Sequence, residues 1–210
     1  MNNKERIRLS IGAAINIAVF AIAFYCLIIY VGRIVRGGGN RLIYYTNISN
    51  ITVGFVSLIH GILLIISIFK RKIVVPKVFS IIKYVVITMT TLTFFVVLFV
   101  IWPLTSFMDS YGEIRFFTHF FNPVIIVISY LFFEERISYD WKYSLFGILP
   151  AFIYSIIYSI NVIGLGIWPD IYYINTKGLW YLYLLGINIG GFGLNQALYF
   201  IKKKIIEANH

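Results

Sequence analysis

The chain has 210 residues, of which 60% are hydrophobic and only 12% charged, with a mean hydropathy of +0.87. A soluble domain of this size carries about a quarter of its residues as charged side chains, so this chain cannot cover a water-facing surface, and lipid is its natural solvent. The net charge of +10 lies in short clusters between apolar runs and forms no basic face, which argues against a nucleic-acid partner and for loops sorted by the positive-inside rule.

A membrane helix needs roughly 20 mostly apolar residues to cross about 30 Å of hydrocarbon. Six runs meet that requirement, at about 9–32, 45–69, 80–104, 116–133, 144–165 and 178–200. They are continuous and lack the period-two alternation of a membrane barrel, the other structure able to span. The predicted fold is therefore all-α, a polytopic six-helix bundle forming a single domain over residues 1–210.

The first run follows Lys4, Arg6 and Arg8, but its apolar core is longer than that of a cleavable leader and no small-x-small site closes it. It reads as an uncleaved span. The lone cysteine, Cys26, lies in its middle, can form no intrachain disulfide and reads as a packing residue. Gly37, Gly38 and Gly39 form the flexible centre of the loop that comes next.

Orientation is set by the basic residues. Thirteen of the 18 Lys and Arg, including Lys4, Lys70 to Lys72, Lys83, Arg136 and Lys202 to Lys204, fall on one side, and five (Arg33, Arg36, Arg41, Arg115 and Lys177) on the other. The richer side, with both termini, is predicted to face the cytoplasm of a cell membrane, and the compact loops point to a bacterial plasma membrane. Trp102, Trp168 and Trp180 at outer ends and Trp141 at an inner end fit an aromatic belt, Pro103 and Pro169 mark helix ends, and Lys83 is expected to snorkel to the inner headgroups.

Polar residues inside the spans carry the functional signal. In the second run Thr46, Asn50, Val53, Ser57 and His60 form one stripe at helical spacing. In the fourth, His119 and Asn122 share a face at i, i+3; in the sixth, Asn188, Asn195 and Tyr199 do so; in the fifth, Asn161 ends a weak stripe of Tyr154 and Tyr158. Thr88, Thr90, Thr91 and Thr93 are expected to bond their own backbone. His210, the last residue, is set apart from the site.

Both even spans run from outside to inside, so Thr46 and His119 are level near the outer boundary, whereas His60 is about 21 Å deeper. A hydroxyl level with an imidazole is the minimum equipment for acyl transfer: Thr46 as nucleophile, His119 as the base that takes its proton, Asn50 and Asn122 as donors to an oxyanion. Asp109, Glu113, an asparagine or a backbone carbonyl would orient His119. The competing reading of every one of these residues is hydrogen-bonding glue between helices.

At these residues the chain resembles the androgen-induced-protein family of six-span membrane proteins. The resemblance covers most of the chain. It rests on Tyr44-Tyr45-Thr46-Asn47, on His119 followed by Pro123, and on Trp168-Pro169 after a Tyr-rich fifth span carrying Pro150. It implies a threonine hydrolase acting within the membrane on fatty acid esters of hydroxy fatty acids, with Thr46 as nucleophile and His119 as base, and Ser49 as a neighbouring hydroxyl on nearly the same face. The leading expectation is a lipid ester hydrolase with a fatty-acyl substrate. A small transporter or lipid-binding protein without catalysis, and an assembly factor without chemistry, are the alternatives. No metal-ligand cluster, phosphate loop or dinucleotide motif is legible, so no cofactor and no metal are expected.

Overall fold

The computed structural model describes residues 1–175 and 178–208; Lys177 and His210 lie outside the described residues. It is 81% helical and has no strand among those residues. Six helices are long and apolar enough to cross a membrane: α1 (Asn3–Val35), α2 (Tyr45–Lys70), α3 (Lys77–Leu104), α4 (Ile114–Phe133), α5 (Trp141–Gly164) and α6 (Trp180–Glu207). The chain is a multi-pass membrane protein. Its termini share one face: the N-terminal ammonium reaches the Arg71 carbonyl between α2 and α3, and Lys202 near the C-terminus bonds the Tyr130 carbonyl at the same end of α4.

The burial pattern is that of a protein dissolved in lipid. Large apolar side chains such as Phe24, Phe55, Phe152 and Leu185 face outward, while Asn16, Ser57, His60, Lys83 and Asn195 are fully buried. With no water in the hydrocarbon to bond them, polar groups must find partners inside the bundle. The expected threonine behaviour holds: Thr88, Thr90, Thr91 and Thr93 each bond a carbonyl three or four residues back.

Helix α3 is the hub. Half of its most apolar stretch is buried inside the bundle, against 17% for α5 and 22% for α6. Helices α1 and α2 pack along their lengths, close enough that a Cβ on Gly54 would stand 2.5 Å from that of Ala23. α1 also meets the inner end of α4, where a Cβ on Gly12 would lie 2.5 Å from the Phe133 carbonyl oxygen.

The ends of α1 and α6 extend past the apolar runs, because Lys4 to Arg8 and Lys202 to Glu207 continue as helix. Helix α4 is short, 20 residues against 24–33 for the others. It ends in π turns on both sides, with Asn122 N–H bonding the Phe117 carbonyl and Glu134 N–H bonding that of Ser129. Beyond its inner end Glu134, Glu135 and Tyr139 are buried in the bundle, while Ser138 and Asp140 are exposed.

Replacing Gly12 by valine drives a side chain into the Phe133 backbone, which has no rotamer to yield. A loss of about 1–3 kcal/mol is expected, read as a lower Tm and less monodisperse protein in detergent. Gly190→Ala, which adds its Cβ to open space, leaves both unchanged or slightly improved.

Candidate functional site

Two polar layers lie at different depths. The outer layer begins at the first turn of α2, where the Tyr45 backbone N–H donates to the hydroxyl of Tyr172 at 3.1 Å. The Tyr154 hydroxyl donates to the Ile43 carbonyl at 3.2 Å, and Asp170 gathers the Tyr158 hydroxyl at 2.8 Å and the N–H groups of Ile174 and Asn175. The loop after α5 is thereby folded over the start of α2. Beneath it is a cavity of about 50 Å³ lined by Thr46, Tyr45, Thr93, Tyr154, Tyr158 and Tyr172, among others.

Thr46 makes no side-chain hydrogen bond among the described residues. The reason is positional: it stands in the first turn, where residue i−4 is not part of the helix and offers no aligned carbonyl. Ser49 is different. Its hydroxyl is engaged with the Thr46 carbonyl at 2.9 Å and with Thr93 at 3.0 Å and is fully buried, so of the two hydroxyls only that of Thr46 is available in the cavity wall. Tyr45 lines the same wall, and its buried hydroxyl also lacks a partner among the described residues.

Leu92, Val96 and Ile187 are shared with a second, larger cleft of about 750 Å³ between α3 and α6. Its wall carries Gly186, Gly190 and Gly193, whose missing side chains leave open space, and Phe99 and Leu182 at its rim are more than half exposed. An apolar groove of this size on the lipid side of a membrane protein suits an acyl chain.

His119 sits in the π turn of α4, half-buried. Its Nδ1 lies 2.6 Å from the Ser110 carbonyl, and its ring meets Tyr111 edge-on. A carbonyl only accepts, so Nδ1 carries the proton and Nε2 is left with its lone pair, the tautomer a general base needs. The orienting group is thus a backbone carbonyl of the one-turn helix Phe107–Tyr111. No hydrogen bond joins His119 to Thr46 among the described residues.

The two asparagines link α2 to α4. Asn50 Nδ2 lies 2.8 Å from both the Thr46 and Thr118 carbonyls, and Asn122 Nδ2 donates to Asn50 Oδ1 at 3.3 Å. Both amide hydrogens of Asn50 are occupied, and an oxyanion role for it requires this clamp to open. Asn122 faces α2 while His119 faces the outer cap: the wide π turn separates a pair that α-helical spacing puts on one face.

The inner layer overturns two expectations. Lys83 does not snorkel. It is 0% exposed, with Nζ on Asn16 Oδ1 at 2.5 Å, on Ser57 Oγ at 2.8 Å and 3.8 Å from Glu134 Oε1. Two of its ammonium hydrogens have acceptors and the Glu134 carboxylate stands close by as an ion pair, so the charge is met inside the bundle. Nor is the chain without a cluster of metal-ligand type: His60, Glu134 and Glu135 converge, all buried, with their ligand atoms within 4.8 Å of one another.

Glu134 Oε1 accepts from Asn16 at 2.7 Å and Ser129 at 2.9 Å; Glu135 accepts from His60 at 2.8 Å and Ser80 at 2.7 Å. Burial by itself raises the Glu135 carboxyl, but the adjacent His60 and the hydrogen bonds from His60 and Ser80 outweigh it and hold the group below the usual carboxylate range. Sequence spacing could not assemble this layer. Glu134 and Glu135 directly follow the fourth apolar run at 116–133, and only the fold brings them beside His60.

Compared with protein-family models, curated proteins and solved structures, the chain finds no match in any of the three.

Lys83→Met strands the Glu134 carboxylate in the interior and is expected to cost about 3–5 kcal/mol, measured by denaturant unfolding of the detergent-solubilised protein. Lys83→Met combined with Glu134→Gln removes both charges and should cost less than the lysine substitution alone.

Proposed function

We propose that the protein is a membrane-embedded lipid ester hydrolase in which Thr46 is the nucleophile and His119 the base. The observation that carries this reading is the Thr46 hydroxyl, without a hydrogen-bond partner among the described residues, in the wall of an apolar cavity that adjoins a lipid-facing cleft of about 750 Å³. A long acyl chain lies in the cleft between α3 and α6, and its ester carbonyl enters past Leu92, Val96 and Ile187. The resemblance to the androgen-induced-protein family supports the same pair and a fatty acid ester of a hydroxy fatty acid as substrate. The basic face lies toward the cytoplasm, which puts the ester near the outer leaflet of a bacterial plasma membrane.

In the reaction Thr46 Oγ1 attacks the ester carbonyl and gives its proton to His119 Nε2; His119 lines neither cavity, so this transfer requires its ring to come within reach of Thr46 when substrate binds. The negative oxygen that forms takes a hydrogen bond from the unpaired Tyr45 hydroxyl. The tetrahedral intermediate expels the alcohol, which leaves with the proton held by His119. Water then attacks the acyl-threonine by the same route in reverse, releasing the fatty acid and restoring the Thr46 hydroxyl. A lipid-binding protein without turnover would use the same cleft, and it differs in showing no covalent reaction at Thr46. A transport path through the midplane has less behind it, because Ser57 and His60 pack against Lys83 and Glu135 and line neither cavity.

Purified protein in detergent is treated with a fluorophosphonate bearing a long alkyl chain and assayed on long-chain and short-chain esters. Labelling and turnover are expected to vanish in Thr46→Ala and to fall about 10²–10⁴-fold in His119→Ala, with a smaller loss in Tyr45→Phe. Gly186→Leu fills the cleft and should depress long-chain turnover selectively. Labelling that persists in Thr46→Ala removes the assignment of the nucleophile.

A further inference from the structure

We propose that His60, Glu134 and Glu135 form a binding site for a divalent transition-metal cation such as Zn²⁺ in the inner half of the bundle. Three lone-pair atoms meet there. His60 Nε2 lies 2.8 Å from Glu135 Oε2 and 3.5 Å from Glu134 Oε2. One imidazole N–H can serve only one of the two carboxylates. The other oxygen, Glu134 Oε2, belongs to a side chain that is 1% exposed and has no hydrogen-bond partner among the described residues. A buried carboxylate oxygen without a donor is costly, and this one is aimed at the imidazole of the same cluster.

A cation in place of that proton engages all three atoms at once. One imidazole nitrogen with two carboxylate oxygens is a donor set suited to zinc and its neighbours, leaving a fourth position for water. Bond lengths of about 2.0–2.2 Å put tetrahedral ligands roughly 3.3 Å apart. The His60–Glu134 separation already fits, the His60–Glu135 pair has to open by about half an ångström, and the two carboxylate oxygens, within 4.8 Å of one another, adjust around the ion. The two carboxylates are held from outside, Glu134 by Asn16 and Ser129 on its far oxygen and Glu135 by Ser80, whereas His60 Nδ1 has no partner among the described residues. Lys83 lies on that far side, 3.8 Å from Glu134 Oε1, and does not occupy the point where the three ligand atoms converge.

The consequence is mechanical. The ligands come from α2 and from the segment that leaves the short α4, so the ion clips residues 134–140 onto the inner half of α2. The site is independent of Thr46 and His119, which lie in the outer layer.

The full-length protein, purified in detergent without chelator, is assayed for bound metals by mass spectrometry, then stripped and titrated with ZnCl₂ in a calorimeter with Tm followed in parallel. One-to-one uptake and a rise in Tm are expected for the wild type. Glu134→Gln and His60→Ala should lose both, whereas Thr46→Ala keeps both. If His60→Ala does not fold, the milder Glu134→Gln and the wild-type titration decide. A wild type that takes up no stoichiometric Zn²⁺, Mn²⁺ or Fe²⁺, or a Glu134→Gln variant that binds as tightly, overturns the site and leaves the cluster holding a proton only.

Discussion

The ammonium of Lys83 is the contact on which the inner half of the bundle depends. A lysine buried in hydrocarbon has no water to fall back on, so its charge persists only if the protein supplies every partner. Here Asn16 of α1, Ser57 of α2 and the carboxylate of Glu134 beyond α4 do so together. Two of those partners are themselves bonded elsewhere: Asn16 to the Gly12 carbonyl and to Glu134, and Glu134 to Ser129. The relative rotation of four helices is thereby set by one charge. The close approach at Gly12, where α1 nearly touches the Phe133 carbonyl, is the steric counterpart of the same arrangement.

The outer half is assembled on a different principle. Its links are neutral hydrogen bonds from tyrosines and asparagines, and its packing leaves space. Tyr154, Tyr158 and Tyr172 tie the α5–α6 loop to the start of α2, while Asn50 and Asn122 join α2 to α4. α3 is the common wall of both halves. Its inner end carries Lys83, and its outer end lines the small cavity and the large cleft. Charge fixes the frame at one depth, and glycines on α6 keep a groove open at the other.

The six spans were legible because hydrophobic length is a local property, and so was the buried stripe from Thr46 to His60, since helical spacing alone puts those residues on one face. The self-bonding threonines of α3 came from the same local rule. What sequence spacing missed depends on where a helix stops. Lys83 read as a snorkelling residue because it lies near the start of its span, and nothing in its neighbourhood announces Asn16 or Glu134, which are 67 and 51 residues away. Glu134 and Glu135 drew no reading from the sequence, because their place beside His60 depends on the π turn that ends α4 and on tertiary packing. The same kind of turn, at Phe117–Phe121, separates His119 from Asn122. Tyr172 and Asp170 belong to a loop whose fold is set by partners on α2 and α5.

The position of Thr46 gives a physical reason why a hydroxyl there differs from the many others in this bundle. A threonine inside a helix in lipid closes onto the carbonyl one turn back, because no other acceptor competes, and Thr88, Thr90, Thr91 and Thr93 all do so. A hydroxyl so bound must first be released before it can lose its proton to a base. Only in the first turn is the preceding carbonyl out of register, and here the carbonyl of Ile43 is also taken by Tyr154. The folding of the α5–α6 loop over this turn therefore does two things at once. It satisfies the exposed backbone at the helix start through Tyr172 and Tyr154, and it leaves the Thr46 hydroxyl, without a partner among the described residues, in the wall of a mostly apolar cavity.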